Sequence, residues 1–422
     1  MIRTILTGFE PLRLSNFRTY ILGQAISLIG TWLQVTAQSW VVWQLTNSEA
    51  SLGIVAMLNA LPTLFLSPWA GVLADRLNRQ KLLAFTQAGL MALAAMLAFL
   101  VQFGYIQIWH VYLLSTVSGI FGTLEFPTQS AFLGDLAGLV NVRKAVNMNA
   151  MFFQASRILG PALAGIVIAR LGIATAFWLN SASFLVVIIT ILSVTAEQRS
   201  RPNRGTSIFS DLKEGIIYLS RQPRMQDLLL LSISITALAL TLFSMMPAFA
   251  SKNLNGGAET LGSLMASSGA GALVSVILIS PIAQANKNTG KVILAALLWA
   301  GVWIVGFSMA TSLVMAMFFL FLISFSLPLV IAMSLGLIQV LAPADMRARL
   351  LSLFTMISFG LQPISSLLIG AASEHFGVSR VARVNGILLI LIAASLGLFR
   401  KGLFVWTHDK ETAPGSQPAS AI

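Results

Sequence analysis

The chain has 422 residues, 57% of them hydrophobic and only 9% charged, with a mean hydropathy of +0.85. Soluble domains carry about 25% charged residues, so this chain cannot cover a soluble surface and must take lipid as its solvent. A net charge of +12 would suggest nucleic acid in a soluble protein, but the basic residues here are spread over short loops, and no nucleic-acid partner is expected. With no cysteine, disulfides, thiol chemistry and Cys-based metal sites are excluded. His110, His375 and His408 are too scattered to hold a metal, and no cofactor is expected. Arg3, Glu10 and Arg13 precede Phe17 without a compact apolar core, which does not read as a secretory signal.

A bilayer-spanning helix needs about 20 mostly apolar residues. By that measure the sequence predicts twelve spans, near 17–43, 50–73, 81–103, 108–135, 145–169, 173–194, 226–250, 260–284, 290–311, 313–340, 348–373 and 380–400. The expected fold class is an all-α integral membrane protein with its spans in two six-helix bundles, 1–195 and 225–400. Between them, 196–224 reads as a cytoplasmic linker. It opens with Arg, Ser, Pro and Gly and then places Ile208, Leu212, Ile216 and Leu219 at helical spacing, as a helix on the membrane surface would, although a loose linker has the same composition. Residues 401–422 are polar and Pro/Ser-rich and read as a disordered tail.

Lys and Arg set the orientation. With the N-terminus inside, the inner segments collect Arg13, Arg18, Arg76, Arg79, Lys81, Arg143, Lys144, Arg221, Arg224, Lys287, Lys291, Arg347, Arg349 and Arg400 among others. The outer segments hold only Arg170, Lys252, Arg380 and Arg383. Both termini are therefore expected in the cytoplasm.

Between the second and third spans, Gly71 to Leu83 carries Asp75, Arg76, Arg79 and Lys81 in a short polar turn. Asp75 and Arg79 are four apart and share a face if the helix extends into the loop. The counterpart in the second half, Pro281 to Leu294, keeps Lys291 but has Ala285 and Asn286 in place of the Asp and Arg.

Two ionisable residues fall well inside spans, Glu125 in the fourth and Arg157 in the fifth. Either would cost about 2.5–3.5 kcal/mol at mid-bilayer, so neither is expected to face lipid. Counted along their helices they reach similar depth, which predicts an ion pair. Such a pair either releases on protonation and couples transport to a proton or only fastens the two helices.

Polar residues recur at 3-4-3-4 spacing on three spans: Gln24, Ser27, Thr31, Gln34 and Gln38; Ser115, Ser118, Gly122, Glu125 and Gln129; Ser352, Thr355, Ser358, Gln362 and Ser365. Such stripes turn toward water or protein in a bilayer. The cavity reading takes Thr31, Gln34, Gln38, Ser118, Gln129, Gln154, Thr355, Ser358 and Gln362 as substrate-facing; interhelical hydrogen bonding is the alternative. Gly160-Pro161 is either a closely packed kink or a hinge.

The G-x-L-A-D-R-x-x-R-x-K turn from Gly71 resembles the signature loop of the major facilitator superfamily. Arg157-Ile158-Leu159-Gly160-Pro161-Ala162-Leu163-Ala164-Gly165 resembles the fifth-helix motif of its exporters. Glu125-Phe126-Pro127-Thr128-Gln129, with Asn16-Phe17-Arg18 and Gly30-Thr31-Trp32-Leu33-Gln34, resembles its enterobactin-exporter and multidrug efflux branch. The likeness is close over the first six spans and loose over the rest. It implies an inner-gate charge network of Asp75, Arg76, Arg79 and Asp135. The fourth-span Arg of many drug/proton antiporters is absent here, since Leu113 to Gly122 holds no basic residue.

Together these features predict a secondary transporter, not an enzyme. It would export a small organic molecule such as a siderophore, drug or amphiphilic metabolite by alternating access and proton antiport. Its partners would be the solute, protons and lipid, and it would act as a monomer. An uncoupled facilitator and a non-transporting sensor of the same fold are the alternatives.

Overall fold

The computed structural model describes residues 10–195, 208–279, 288–343 and 346–399, and no strand occurs among them. The spanning helices are α1 (Ser15–Thr46), α2 (Glu49–Arg76), α3 (Arg79–Gln102), α4 (108–137), α5 (139–171), α6 (Ile173–Ser193), α7 (Pro223–Asn253), α8 (Ala258–Leu278), α9 (Thr289–Phe307), α10 (Leu313–Leu341), α11 (Arg347–Gly360 and Gln362–Phe376) and α12 (Val378–Phe399). Among the described residues, ten helices are long and apolar enough to cross a membrane; α1 and α4 have the length but fall short in apolar content. These two carry the first two polar stripes. A spanning helix too polar for lipid must be shielded by its neighbours, so the shortfall puts α1 and α4 inside the bundle.

Local chemistry sets the helix ends. Ser48, Asn78 and Ser312 accept backbone N–H bonds as N-caps of α2, α3 and α10. The run from Ile108 to Leu171 is helical except at Gly138, whose φ of 70° turns the chain between α4 and α5. That left-handed backbone angle is easy only for glycine. Pro363 breaks α11 after Gly360, because proline offers no N–H and restricts the residue before it. In α7 the hydrogen bonding widens to a π turn over Ile235–Ala239 and tightens to 3-10 over Leu240–Met245. Pro161 leaves α5 with helical backbone angles.

The connections alternate between two ends. The Leu77–Asn78 turn and Gly138 mark a basic end; Asn47–Ser48, Gly172 and Gly377 mark the far end. Helix α1 packs on α4–α5 and α6, α2 on α4, α3 on α6, and likewise α8 on α10 and α9 on α10 and α12. Between the first six helices and the last six, the main contacts are α5 with α8 and α2 with α11. Backbones come close at both. A Cβ on Gly53 would lie 2.4 Å from the Ser366 carbonyl oxygen, and one on Gly262 would lie 2.6 Å from the Pro161 carbonyl oxygen. Without a strong hydrophobic drive between helices in lipid, such close small-residue packing holds them together.

The linker expected to carry an amphipathic helix has one at Ile208–Arg221. Leu219 is buried and Ile216 exposed, and Gly215 approaches Leu353 of α11. The linker segment 196–207, the loop segment 281–287 and the tail 401–422 lie outside the described residues, as do the side chains of Ile208 and Leu212.

Candidate functional site

Arg79, at the first turn of α3, crosses to the end of α4. Its Nη1 donates to both carboxylate oxygens of Asp135 at 2.9 and 2.8 Å, while Nε donates to the Ala74 carbonyl at 3.2 Å. Both side chains are almost fully buried. The pair links α2, α3 and α4 at the basic end, as one branch of the network the sequence implied. Arg76 is exposed, and the Asp75 side chain lies outside the described residues. At the same end Lys144 pairs with Glu10.

The predicted Glu125–Arg157 ion pair is not formed: among the described residues, each finds other partners. Gln87 on α3 donates its amide to the Glu125 carboxylate at 2.7 Å. The Arg157 guanidinium lies over the rings of Trp32 on α1, 5.4 Å to the centroid, and Phe243 on α7, 6.0 Å. Depth along neighbouring helices does not fix the direction around the helix axis. Glu125 points toward α3, whereas Arg157 points between α1 and α7.

The polar stripes divide. Gln38 donates to Ser115 on α4 at 2.7 Å, and Gln34 accepts from Asn180 on α6 at 2.7 Å, so these two serve as interhelical bonds. Thr31 donates back to Ser27 of its own helix. Gln129 and Gln24 face the buried Tyr20 hydroxyl. Ser118 and Gln362 are partly exposed. The side-chain oxygens of Gln154 and Ser358 are buried without a hydrogen-bond partner among the described residues, while the Thr355 side chain lies outside them. At Gly160 a Cβ would come within 2.4 Å of the Trp32 Cβ, and Pro161 leaves its helix unbroken; both features favour close packing over a hinge.

At the far end lies a cluster that sequence reasoning missed. Lys252, ending α7, donates to both oxygens of Glu49 on α2 at 2.8 and 3.1 Å and sits 5.1 Å above the Trp43 ring. Glu49 is 1% exposed. Glu374 of α11 accepts from the Ser48 hydroxyl at 2.6 Å and the Ala50 N–H at 2.9 Å, and so caps α2 from the other half. The available signal was scarcity: Lys252 is one of only four basic residues on the side expected to be outside.

The spanning helices described above, the α2–α11 and α5–α8 seams and the buried charge pair at the α2–α3 turn define a multi-pass membrane transporter of the major facilitator fold. Residues 6–414 match the transmembrane secretion effector family, and the chain belongs to that family of major facilitator transporters. It is 24% identical over 86% of its length to the staphyloferrin A transporter of Staphylococcus aureus, covering 91% of that protein. It is also 22% identical to macrolide efflux protein A of Streptococcus pyogenes, with 90% of this chain and 94% of that one aligned. The solved nucleoside transporter NupG superposes with a TM-score of 0.71 over 92% of this chain and 99% of its own, at 15% identity, a likeness of fold alone.

Proposed function

We propose that this transporter exports a small organic solute across a bacterial inner membrane by proton antiport, its two six-helix halves (1–195 and 225–400) rocking about a central cavity. The observation that carries the coupling is Glu125. Its carboxylate, deep in the first half, is held by a neutral amide instead of a cation. No salt bridge has to be broken for it to take or release a proton. Export is supported by the family description and by the efflux relative. Alternating access is supported by the cross-half contacts at the far end, Glu49–Lys252 and Glu374 with Ser48 and Ala50, which close that end in this conformation.

The basic end faces the cytoplasm because Lys and Arg concentrate there. Asp75, Arg76, Arg79 and Asp135 then form the inner gate. Ser118, Gln129, Gln154, Ser358 and Gln362 remain as cavity groups, with Gln34 and Gln38 holding helices in place. The protein acts as a monomer in contact with lipid. A reporter fused at Ile422 and active only outside the cell would overturn this orientation.

The test is solute movement in proteoliposomes under an imposed pH gradient, with a panel of siderophores and lipophilic drugs, for wild type and Glu125→Gln. Gradient-driven movement that is lost in the variant is expected. Movement indifferent to both the gradient and the substitution would leave a facilitator and return Glu125 to a structural role.

A further inference from the structure

Arg157 sits far inside its helix, about 20 Å along α5 from Lys144. Among the described residues no carboxylate pairs with it, and Glu125 is engaged by Gln87. What it has instead are the faces of Trp32 and Phe243. A cation at mid-bilayer is costly unless it is paired or faces a polar cavity. The fork of N–H donors on the guanidinium is thus not committed to any acid among the described residues.

The surroundings are built for a guest. Arg157, Trp32 and Phe243 are all partly exposed although they lie between α1, α5 and α7. Phe153, one turn before Arg157, is 42% exposed and meets Trp32 edge to face at 5.7 Å. Gln154 carries a buried amide oxygen with no hydrogen-bond partner among the described residues. Phe243 lies in the tightened 3-10 stretch of α7, and irregular backbone at membrane depth is tolerated where it lines a cavity or is buried in protein. Here α1 and α5 come from the first half and α7 from the second, so a guest at this point touches both.

We propose that Arg157 is the anion-recognition point of the transported solute. It takes a carboxylate in paired N–H···O contacts, with the aromatic or apolar body of the solute against Trp32, Phe153 and Phe243. This rests on the transport reading above and narrows the substrate class. A planar guanidinium matches a carboxylate bidentately. A single cation balances one negative charge, which selects a monocarboxylate over a phosphate dianion.

The test measures binding of 1-pyrenebutyrate and 1-pyrenebutanol by fluorescence anisotropy, on the full chain in phosphatidylcholine nanodiscs, where no anionic lipid competes. The two probes differ in charge and share a body. Wild type is expected to prefer the acid by about tenfold, the scale of one charge-assisted hydrogen-bonded contact. Arg157→Gln should erase the preference and leave alcohol binding within about twofold, while Arg157→Lys, which keeps the charge without the fork, should fall between. Equal binding of both probes by wild type, binding of neither, or a preference that survives Arg157→Gln overturns the proposal. The wild-type comparison stands even if a variant fails to fold. Charge-selective binding without pH-gradient transport would sink the antiport reading alone, and gradient-driven transport without charge selectivity would sink this one alone.

Discussion

Glu49→Gln tests whether the far end is a gate. The Glu49 carboxylate is buried at 1% exposure and accepts two bonds from the Lys252 ammonium. Charge-assisted hydrogen bonds contribute about 1.5–3 kcal/mol. The Lys252 side chain is 52% exposed, and water screens it, so the lower figure applies. Glutamine keeps the shape and one acceptor but loses the charge. A loss of about 1.4 kcal/mol multiplies the ratio of far-end-open to far-end-closed molecules by about ten. The chain has no cysteine, so spin labels at Tyr105→Cys, in the α3–α4 connection, and Arg380→Cys, at the start of α12, need no background removal. Both positions are exposed. Pulsed electron–electron distance measurement should show the long-distance component rising about tenfold relative to the short one in Glu49→Gln. Lys252→Gln should do the same, and the double variant no more, because all three remove one contact. An unchanged distribution in a well-folded Glu49→Gln would refute the gate.

Asp135→Asn takes the Asp135 charge away from the buried Arg79 guanidinium; disrupting a buried pair costs up to about 3–5 kcal/mol, so a drop in Tm in detergent is expected, partly recovered in Arg79→Asp/Asp135→Arg. Gly53→Ala places a Cβ 2.4 Å from the Ser366 carbonyl oxygen, so α2 and α11 must part and Tm should fall. Gly122→Ala, with open space at its Cβ, should instead gain up to about 1 kcal/mol from helix propensity. Lys144 holds the Glu10 carboxyl below its ordinary value of 4.5. Its stabilisation is therefore present above that value and fades as pH falls through the lowered one; the Tm difference between wild type and Glu10→Gln, followed against pH, should vanish on the acid side.

Composition and hydrophobic spacing were enough for the fold, because lipid leaves a spanning backbone few choices. The α2–α3 turn was legible for a related reason: charges that cannot enter lipid must sit at an end, and Arg79 meets Asp135 there. The Glu125–Arg157 pair failed because helical rise gives depth alone; the break at Gly138 and the packing against α3 and α1 set where each side chain points. Gln34 and Gln38 were misread for a similar reason. A polar stripe identifies a shielded face, and only the neighbours Asn180 and Ser115 decide whether protein or water shields it. The far-end cluster was invisible to local pattern because Glu49, Lys252 and Glu374 are separated by 203 and 122 residues and come together only through the packing of the two halves.

In the proposed exchange, a proton entering through Glu125 and a monoanion leaving from Arg157 would add in charge. One positive charge moves in and one negative charge moves out, so two charges move inward per turnover. Across an inside-negative membrane each is worth about 2.3 kcal/mol per 100 mV, or about 4.6 kcal/mol together. That supports a solute gradient of roughly two thousandfold at 100 mV, whereas a neutral solute exchanged for one proton reaches only about fiftyfold. The difference can be read as charge per molecule, from solid-supported-membrane currents recorded alongside solute flux. For an outward step of 1-pyrenebutyrate the ratio should be two, and for 1-pyrenebutanol, one. Uncoupled facilitation gives one and zero with the same pair. A ratio of one for both solutes would mean that the carboxylate leaves with its charge cancelled, and Arg157 would then be a packing residue between two aromatic rings, not a carrier of substrate charge.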